Sequence, residues 1–299
     1  MDRNERFTQA DRVIQTGFWI NGVLMVMRLL AGHFGGSEAV FADGVESACD
    51  FVAILTTMIA LRIGRQPFDA NHPYGHGKAE SISAILVSLV IVLTGGGILY
   101  NAVRTIISRN FSEPHIIAVF AACATIIVKE WLFRYSNKVS KRLESPAVEA
   151  IAKDHRKDAL TSVATLVGVG GAYFGLTILD PIAAGLTALF IFHIGYETFK
   201  SAAHDLMDGQ PPAELIRDVT TIAEGVEGVE HVHEIRGRRS GQYLIVDLKL
   251  EMDPYMTVKQ SHDIATEVKR LIFERFPNVG DVMIHINPHE EEHQDLIRL

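Results

Sequence analysis

Long apolar segments follow one another along the chain up to about residue 199, and they constrain the fold more than any other feature. An α-helix needs ~20 apolar residues to cross a bilayer. Six segments approach or exceed this length, at residues 13–32, 39–63, 82–107, 116–133, 159–175 with an upstream extension, and 178–199. This pattern predicts an integral membrane protein with six transmembrane helices.

Basic residues are distributed unevenly over the connections between these segments. The joints at residues 34–36 and 175–177 are short and contain no Lys or Arg. Basic side chains instead collect at the N-terminus and after the second and fourth segments, at Arg3, Arg6, Arg12, Arg62, Arg65, Lys78, Arg134, Lys138, Lys141 and Arg142. Arg104 and Arg109 on the opposite side weaken this bias without reversing it. The positive-inside rule therefore predicts that both termini are cytoplasmic.

The composition changes after residue 210, where the chain becomes polar. The pattern there predicts a helix at 213–223, strands at 229–236 and 243–252, a helix at 258–276 and a strand at 282–287. We therefore expect a transmembrane domain over residues 1–210, a cytoplasmic α+β domain over 211–289 and a charged tail over 290–299.

Net charge and cysteine content exclude several classes of function. The formal net charge of -8 argues against a nucleic-acid partner, since such partners are bound by a basic face. The two cysteines, Cys49 and Cys123, both lie inside apolar segments. Neither a disulfide framework nor a thiolate zinc cluster is expected.

Acidic residues occur inside two of the predicted spans. On a helix that advances ~100° per residue, Asp43, Glu46 and Asp50 fall within a sector of roughly 60°. Asp154 and Asp158 are likewise four residues apart and share one helix face. Carboxylates inside a membrane are costly and by default mark a site or a pathway. The two faces are thus predicted to hold one cation between them.

The chemistry of the four acids Glu46, Asp50, Asp154 and Asp158 indicates which cation this is. An oxygen-only site suits Mn²⁺ better than Cu⁺. It also suits Fe²⁺ or Zn²⁺, but less specifically. When the metal leaves, protons can take its place on clustered carboxylates. We therefore expect transport of a divalent metal, Mn²⁺ before Fe²⁺ or Zn²⁺, in exchange for protons, with no prosthetic group and no enzymatic activity.

Other interpretations of the acids remain open. They could line a polar depression or pair with Arg28, Arg156 or Lys157, and this applies to Asp43 in particular. His155 lies about 100° around the helix from Asp154, which favours a neighbour or gate over a direct ligand. A passive channel or a metal sensor is also conceivable, although opposed acid pairs favour one discrete site.

A different class of function is suggested by the tail. Residues 289–293 read His-Glu-Glu-Glu-His and match the H-E-x-x-H signature of zinc metalloproteases. That signature requires a helix, a third ligand and a cleft. This copy follows Pro288 in a charged tail, so a membrane metalloprotease is only a remote alternative.

Three motifs together resemble the cation diffusion facilitator family of six-span metal exporters, and the resemblance covers nearly the whole chain. They are SEAVFADGVESACD at residues 37–50, DANHPYGHGKAE at 69–80 and DHRKDALTS at 154–162. The resemblance implies a homodimeric membrane transporter with a ferredoxin-like, metallochaperone-like cytoplasmic domain. It also implies that the transport site takes Glu46 and Asp50 from the second span, and Asp154 and Asp158 from the fifth. An acid-only pair in the fifth span is similar to the manganese-type branch.

The loop motif carries further candidates. Asp69, His72 and His76 have a spacing suited to a zinc-like ion, and in some relatives this motif forms a second metal site. Alternatively, it is a structural turn in which the imidazoles hydrogen-bond locally. Lys78 is similar to a family lysine that pairs with an acid after the sixth span, here Asp208, and such pairs are thought to interlock the subunits.

The resemblance extends to metal ligands in the cytoplasmic domain. His233, His262 and His285 match three of the ligand positions that the family uses there. Lys249 and Asn287 stand where relatives often have His and Asp, so a binuclear zinc site is weakened, and Asp247 is a candidate substitute ligand.

Overall fold

Six long helices make up most of the chain in a computed structural model that describes residues 3–143 and 145–289. They are α1 (Arg3–Gly35), α2 (Glu38–Gly64), α3 (Lys78–Ser108), α4 (Ile116–Leu143), α5 (Pro146–Tyr173) and α6 (Leu179–Leu206). Most extend beyond the predicted apolar segments, because hydropathy identifies the part that crosses the membrane and not the length of the helix. In α4 the extension continues through a charged stretch to Leu143.

Among the described residues, five helices are long and apolar enough to cross a membrane, namely α1 from Asp11, α2, α3, α4 and α6. The sixth, α5, has a similar length, but charged side chains between Lys153 and Asp158 lower its hydropathy. The charge is confined to the half of α5 that carries the predicted site. The predicted class, a helical membrane protein with a C-terminal α+β domain, is confirmed.

Small residues form many of the contacts among the membrane helices. Buried alanines of α2, α3 and α6 form one cluster, which consists of Ala39, Ala42, Ala102, Ala183 and Ala184. Between α1 and α2, a Cβ on Gly44 would lie only 2.8 Å from the backbone nitrogen of Leu29. Small side chains let helix backbones approach closely, which is how helices associate inside a bilayer. Gly44 therefore brings the neighbouring Asp43 against α1.

A buried carboxylate, Asp180 at the start of α6, holds the N-terminus of α2. Asp180 accepts hydrogen bonds of 2.6 Å from the Ser37 hydroxyl and from the Glu38 backbone amide. The first amides of a helix have no partner within the helix, and a carboxylate there satisfies them. The same turn is tied to α3, since Thr105 donates to the Glu38 carboxylate at 2.6 Å.

The terminal region contains two helices and one sheet. The elements are α7 (Ala213–Glu224), β1 (His231–Ser240), β2 (Tyr243–Met252), α8 (Val258–Arg275) and β3 (Val279–Pro288). The strand order is β1-β2-β3, with β1 antiparallel to β2 and β2 parallel to β3. One face of β2, formed by its alternate residues from Leu244 to Met252, is buried in the core with α7 and α8. The other face of the sheet is open.

Both outer strands are longer than the sequence pattern predicted. The β1 strand continues past residue 236 to Ser240, where Ser240 pairs with Tyr243 across the turn at Gly241. Gly241 has a φ of +61°, which a side chain would disfavour. The basic residues of β1 are accommodated because Arg238 donates to Asp247 on β2 at 2.9 Å. Pairing with a neighbouring strand thus overrides the polar composition.

The contacts divide the chain into two bodies. One contains the chain up to Thr56 together with Leu86–Thr198, and the other contains Thr57–Ile85 together with everything described from Phe199 onward. The second body therefore includes more than the residues after 210. Its loop at residues 65–77 approaches the β1–β2 turn, where a Cβ on Gly77 would lie 2.5 Å from the Ser240 hydroxyl. Arg238 lies 5.8 Å from the centre of the Tyr74 ring in the same region.

Candidate metal centre

The acids of α2 lie on one side of that helix, but their environments differ. Asp43 is buried, with 4% of its surface exposed, whereas Glu46 is partly buried and Asp50 is exposed. Glu46 interacts electrostatically with Asp43, Asp50 and Asp158. The i, i+3 and i, i+4 spacing thus orders the three carboxylates along one face, from buried to open.

The acids of α5 face those of α2. Ser145 caps the N-terminus of α5 by accepting a hydrogen bond from the amide of Val148, and Pro146 follows at the first helical position. Asp154 and Asp158 lie two and three turns further along. Asp50 interacts electrostatically with both of them. Electrostatic interactions therefore link the four predicted acids across two facing helices, although no three of them bring ligand atoms within 4.8 Å of one another.

Arg28 on α1 is the partner of Asp43. Its Nη1 lies 2.9 Å from Asp43 Oδ1 and also donates to the backbone carbonyl of Asp43 at 3.2 Å. The Ser162 hydroxyl is 3.5 Å from the other carboxylate oxygen. These contacts correspond to the ion-pair interpretation of Asp43. They occupy oxygens that a metal would need.

A lysine that the sequence analysis did not single out lies beside the cluster. Lys129 on α4 is 3% exposed, and its Nζ is 2.5 Å from Asp158 Oδ2. Its charge also acts on Asp43, Asp50 and Asp154. A signal for it was present, because a lysine inside an apolar span is as exceptional as a carboxylate there.

The other expected cationic partners make their closest contacts outside the acids, although the charge of Lys157 also acts on Asp50 and Asp154. Arg156 forms an ion pair with Glu130 of α4. Lys157 lies over the ring of Phe190, 5.0 Å from its centre. His155 is 3% exposed, and its two ring nitrogens have no hydrogen-bond partner among the described residues. Its Nε2 points toward α1, where a Cβ on Gly17 would lie 3.3 Å away.

The loop between α2 and α3 holds a second group of ligands. One Asp69 oxygen lies 3.2 Å from His72 Nδ1, and the other lies 3.6 Å from His76 Nε2. Ligand atoms of these three residues lie within 4.8 Å of one another, and among the described residues no other three acidic, His or Cys side chains converge as closely. The backbone amide of His72 donates to Asp69, which lowers the pKa of that carboxyl. The group also contains the local hydrogen bonds of a structural turn.

Lys78 lies at the start of α3, just after this loop. Its Nζ donates to Asp208 Oδ1 at 2.7 Å and to the carbonyl of Asp205 at 2.5 Å. The lysine thus bridges the C-terminal end of α6 and Asp208, which lies two residues beyond it. The expected pair of Lys78 and Asp208 is present within one chain.

The histidines of the cytoplasmic domain do not meet in one chain. His233 contacts Glu251 at 2.9 Å, whereas His262 lies exposed on α8. His285 is paired in register with Lys249, whose ammonium is 2.8 Å from Glu234.

Glu251 itself was not predicted to take part in this region. Its second oxygen lies 2.8 Å from His289 Nδ1. Hydrogen bonds from His289 and His233 lower the pKa of Glu251. Of the His-Glu-Glu-Glu-His tail, only His289 lies within the described residues.

Opposed acid pairs on two membrane helices, together with a polar terminal domain, define a membrane transporter of divalent metal cations. Comparison with known proteins identifies the family. The cation efflux transmembrane domain matches residues 14–207, and the cytoplasmic domain of cation efflux proteins matches residues 211–289. The chain belongs to the cation efflux, or cation diffusion facilitator, family.

Relatives match over nearly the full chain. The manganese efflux system protein MneP of Bacillus subtilis is 36% identical over 97% of this chain and 99% of its own length. The magnetosome protein MamB of Magnetospirillum gryphiswaldense is 33% identical over 93% of this chain and 94% of its own. Metal tolerance protein C1 of Arabidopsis thaliana is 31% identical over 94% of this chain and 63% of its own. A nickel form of the MamM C-terminal domain is 25% identical over 26% of this chain and 100% of that domain, with a TM-score of 0.26.

Family membership decides between the classes considered from the sequence. The chain is an integral membrane protein that exports divalent metal cations. The membrane metalloprotease alternative is wrong, because the family consists of transporters and not of enzymes.

Proposed function

We propose that this transporter exports Mn²⁺ in exchange for protons through a site formed by Glu46, Asp50, Asp154 and Asp158. The observation that carries the proposal is the composition of the cluster, in which each of the four side chains is a carboxylate. Hard oxygen ligands favour Mn²⁺ over softer ions. The relative MneP is a manganese efflux system protein, which supports the same metal.

Zn²⁺ and Fe²⁺ are the second candidates. Carboxylates also bind both ions, with less selectivity. The buried imidazole of His155 adjoins Asp154 and has ring nitrogens that no described residue engages. An imidazole that joined the cluster would favour Zn²⁺.

The proposed exchange with protons follows from the crowding of like charges. Asp50 interacts electrostatically with Asp154 and Asp158, and Glu46 interacts electrostatically with Asp50 and Asp158. Once the metal has left, such groups titrate together, and protons replace the lost positive charge. The same carboxylates then carry metal in one direction and protons in the other.

In this proposal both termini are cytoplasmic and the protein works as a homodimer in a lipid membrane. Residues 1–210 form the transport domain, 211–289 the dimerising domain and 290–299 a tail. Asp69, His72 and His76 form an accessory metal site. Metal at His233, His262 and His285 requires ligands from two subunits, because one chain does not bring them together.

The test is metal uptake into proteoliposomes, measured for Mn²⁺, Fe²⁺, Zn²⁺, Co²⁺ and Cd²⁺ with and without an imposed pH gradient. We expect Asp50→Ala and Asp154→Ala to abolish uptake, and Asp154→His to shift the preference toward Zn²⁺. Glu149→Gln is the matched control, since this acid lies on the same helix and pairs with Lys153. Normal Mn²⁺ flux in Asp50→Ala would contradict the site, and flux that ignores the pH gradient would contradict the exchange.

A further inference from the structure

The buried side of α4 carries one charged residue among small and apolar ones. It consists of Ala118, Ala121, Ala122, Thr125, Lys129, Leu132, Ser136, Ser140 and Leu143. This stripe faces α5 and α1, the helices against which α4 packs. An ammonium group inside a membrane protein is costly unless it is paired. The partner of Lys129 therefore indicates what this lysine does.

That partner is a carboxylate of the proposed transport site. Lys129 Nζ lies 2.5 Å from Asp158 Oδ2, and the lysine also interacts electrostatically with Asp50 and Asp154. It is thus a cation in direct contact with one of the proposed metal ligands. Building on the proposed function, we propose that Lys129 is a tethered counter-cation, which holds Asp158 when no metal is bound and releases it when metal enters.

The contrast with the neighbouring ion pair supports an exchangeable role. The side chains of Arg28 and Asp43 are 3% and 5% exposed, and Arg28 is fixed through both the carboxylate and the backbone carbonyl of Asp43. In the second pair the Lys129 side chain is 4% exposed but that of Asp158 is 28% exposed. Asp158 therefore keeps an accessible side, whereas Asp43 is closed.

A lysine can release a carboxylate partner more easily than an arginine can. Its ammonium is a compact charge on a flexible stem, and it makes no rigid, bidentate contact of the kind that an arginine makes. A metal that approaches the open side of Asp158 repels the ammonium, and the flexible stem lets the ammonium leave that carboxylate.

The positive charge of Lys129 affects how tightly the proposed site binds its metal. Four ionised carboxylates would bind a divalent ion so tightly that its release would be slow. A tethered positive charge, which the metal must displace from Asp158, lowers the affinity and limits the repulsion in the empty site. Transport requires binding that is strong enough for entry and weak enough for exit.

The experiment compares the equilibrium affinity for Mn²⁺ of the purified full-length protein with those of Lys129→Gln and Lys129→Arg. Free Mn²⁺ is measured by electron paramagnetic resonance. Glutamine preserves a hydrogen bond to Asp158 without the charge, so we expect Mn²⁺ to bind at least about tenfold tighter. Arginine holds the carboxylate more firmly, so we expect binding to weaken by about tenfold. In proteoliposomes, Lys129→Gln should lower both the KM and the maximal rate.

A purely structural ion pair predicts different results. Lys129→Gln would then raise the KM or leave the affinity unchanged, and Lys129→Arg would behave like the parent. Either result in folded protein overturns the proposal, and if Lys129→Gln does not fold, Lys129→Arg decides alone. Because Lys129 acts through charge, its effect has the same sign for Zn²⁺. The proposal for Lys129 can therefore be tested even if the transported metal is not Mn²⁺. If Asp50→Ala binds Mn²⁺ normally, the transport site fails, whatever the Lys129 variants do.

Discussion

Arg28 and Asp43 form an ion pair of 2.9 Å between two membrane helices, and both residues are almost completely buried. A buried pair contributes little net stability compared with apolar residues of the same size, yet the loss of one partner leaves an uncompensated charge. From this pair we propose that Asp43 is a structural acid beside the candidate ligands.

The first prediction separates Asp43 from the metal ligands. Asp43→Asn and Arg28→Met should each destabilise the protein by about 3 kcal/mol, since each leaves a buried charge. The double variant Arg28→Met/Asp43→Asn should recover much of this loss. Thermal unfolding in detergent measures the effect, and the order of metal preference should not change. A change in that order with Asp43→Asn would return Asp43 to the set of ligands.

The second prediction concerns the glycine that brings this pair together. Gly44→Ala should destabilise the protein by about 1–3 kcal/mol, because its Cβ would lie 2.8 Å from backbone nitrogen of the facing helix. Gly22→Ala on α1 is the matched control, since no atom lies within 4 Å of its Cβ position. Unfolding temperatures of the two variants provide the comparison. Equal temperatures would mean that α1 and α2 can separate at little cost.

The third prediction concerns the pH dependence of the loop site. The hydrogen bond from the His72 amide lowers the pKa of Asp69, so its carboxylate stays ionised when pH falls through the ordinary range near about 4. The contribution of Asp69 to metal binding is therefore present above that pH and is lost only below it. Asp69→Asn should lower the number of bound metal ions by one per chain at neutral pH.

Zn²⁺ retained by the Asp50→Ala variant gives the readout for this loop, because that variant removes the transport site. Zn²⁺ released above about pH 4 should then not be due to protonation of Asp69, whose pKa is lowered. An unchanged Zn²⁺ stoichiometry in the Asp50→Ala/Asp69→Asn double variant would favour the structural-turn interpretation.

The fourth prediction compares the effects of removing Lys78 and of removing the charge of Asp208. Lys78 loses contacts to both Asp208 and the Asp205 carbonyl when it is replaced by Met, whereas Asp208→Asn removes only one charge. An exposed pair alone contributes at most about 1 kcal/mol. Lys78→Met should therefore lower transport and the dimeric fraction more than Asp208→Asn does. Analytical ultracentrifugation and proteoliposome flux provide the two measurements, and the reverse order would exclude the carbonyl contact as a contributor.

Part of the candidate site could be predicted because its signals are local. Asp50 and Asp158 stand out as acids in apolar sequence, and their i−4 neighbours Glu46 and Asp154 follow from helical periodicity. Glu251 could not be found in this way. It is an ordinary acid at the end of an alternating strand, and only the pairing of β2 with its neighbours brings His233 and His289 to its two oxygens.

The sequence by itself determined the helical membrane domain, the separate α+β domain and the four candidate acids. Hydropathy and periodicity are properties of neighbouring residues, so they are readable along the chain. Only the tertiary structure decided which acids are neutralised. The partners of Asp43 and Asp158 lie 15 and 29 residues away on other helices. Which cation reaches which carboxylate depends on how closely the helices pack, and that is set by contacts such as the one at Gly44.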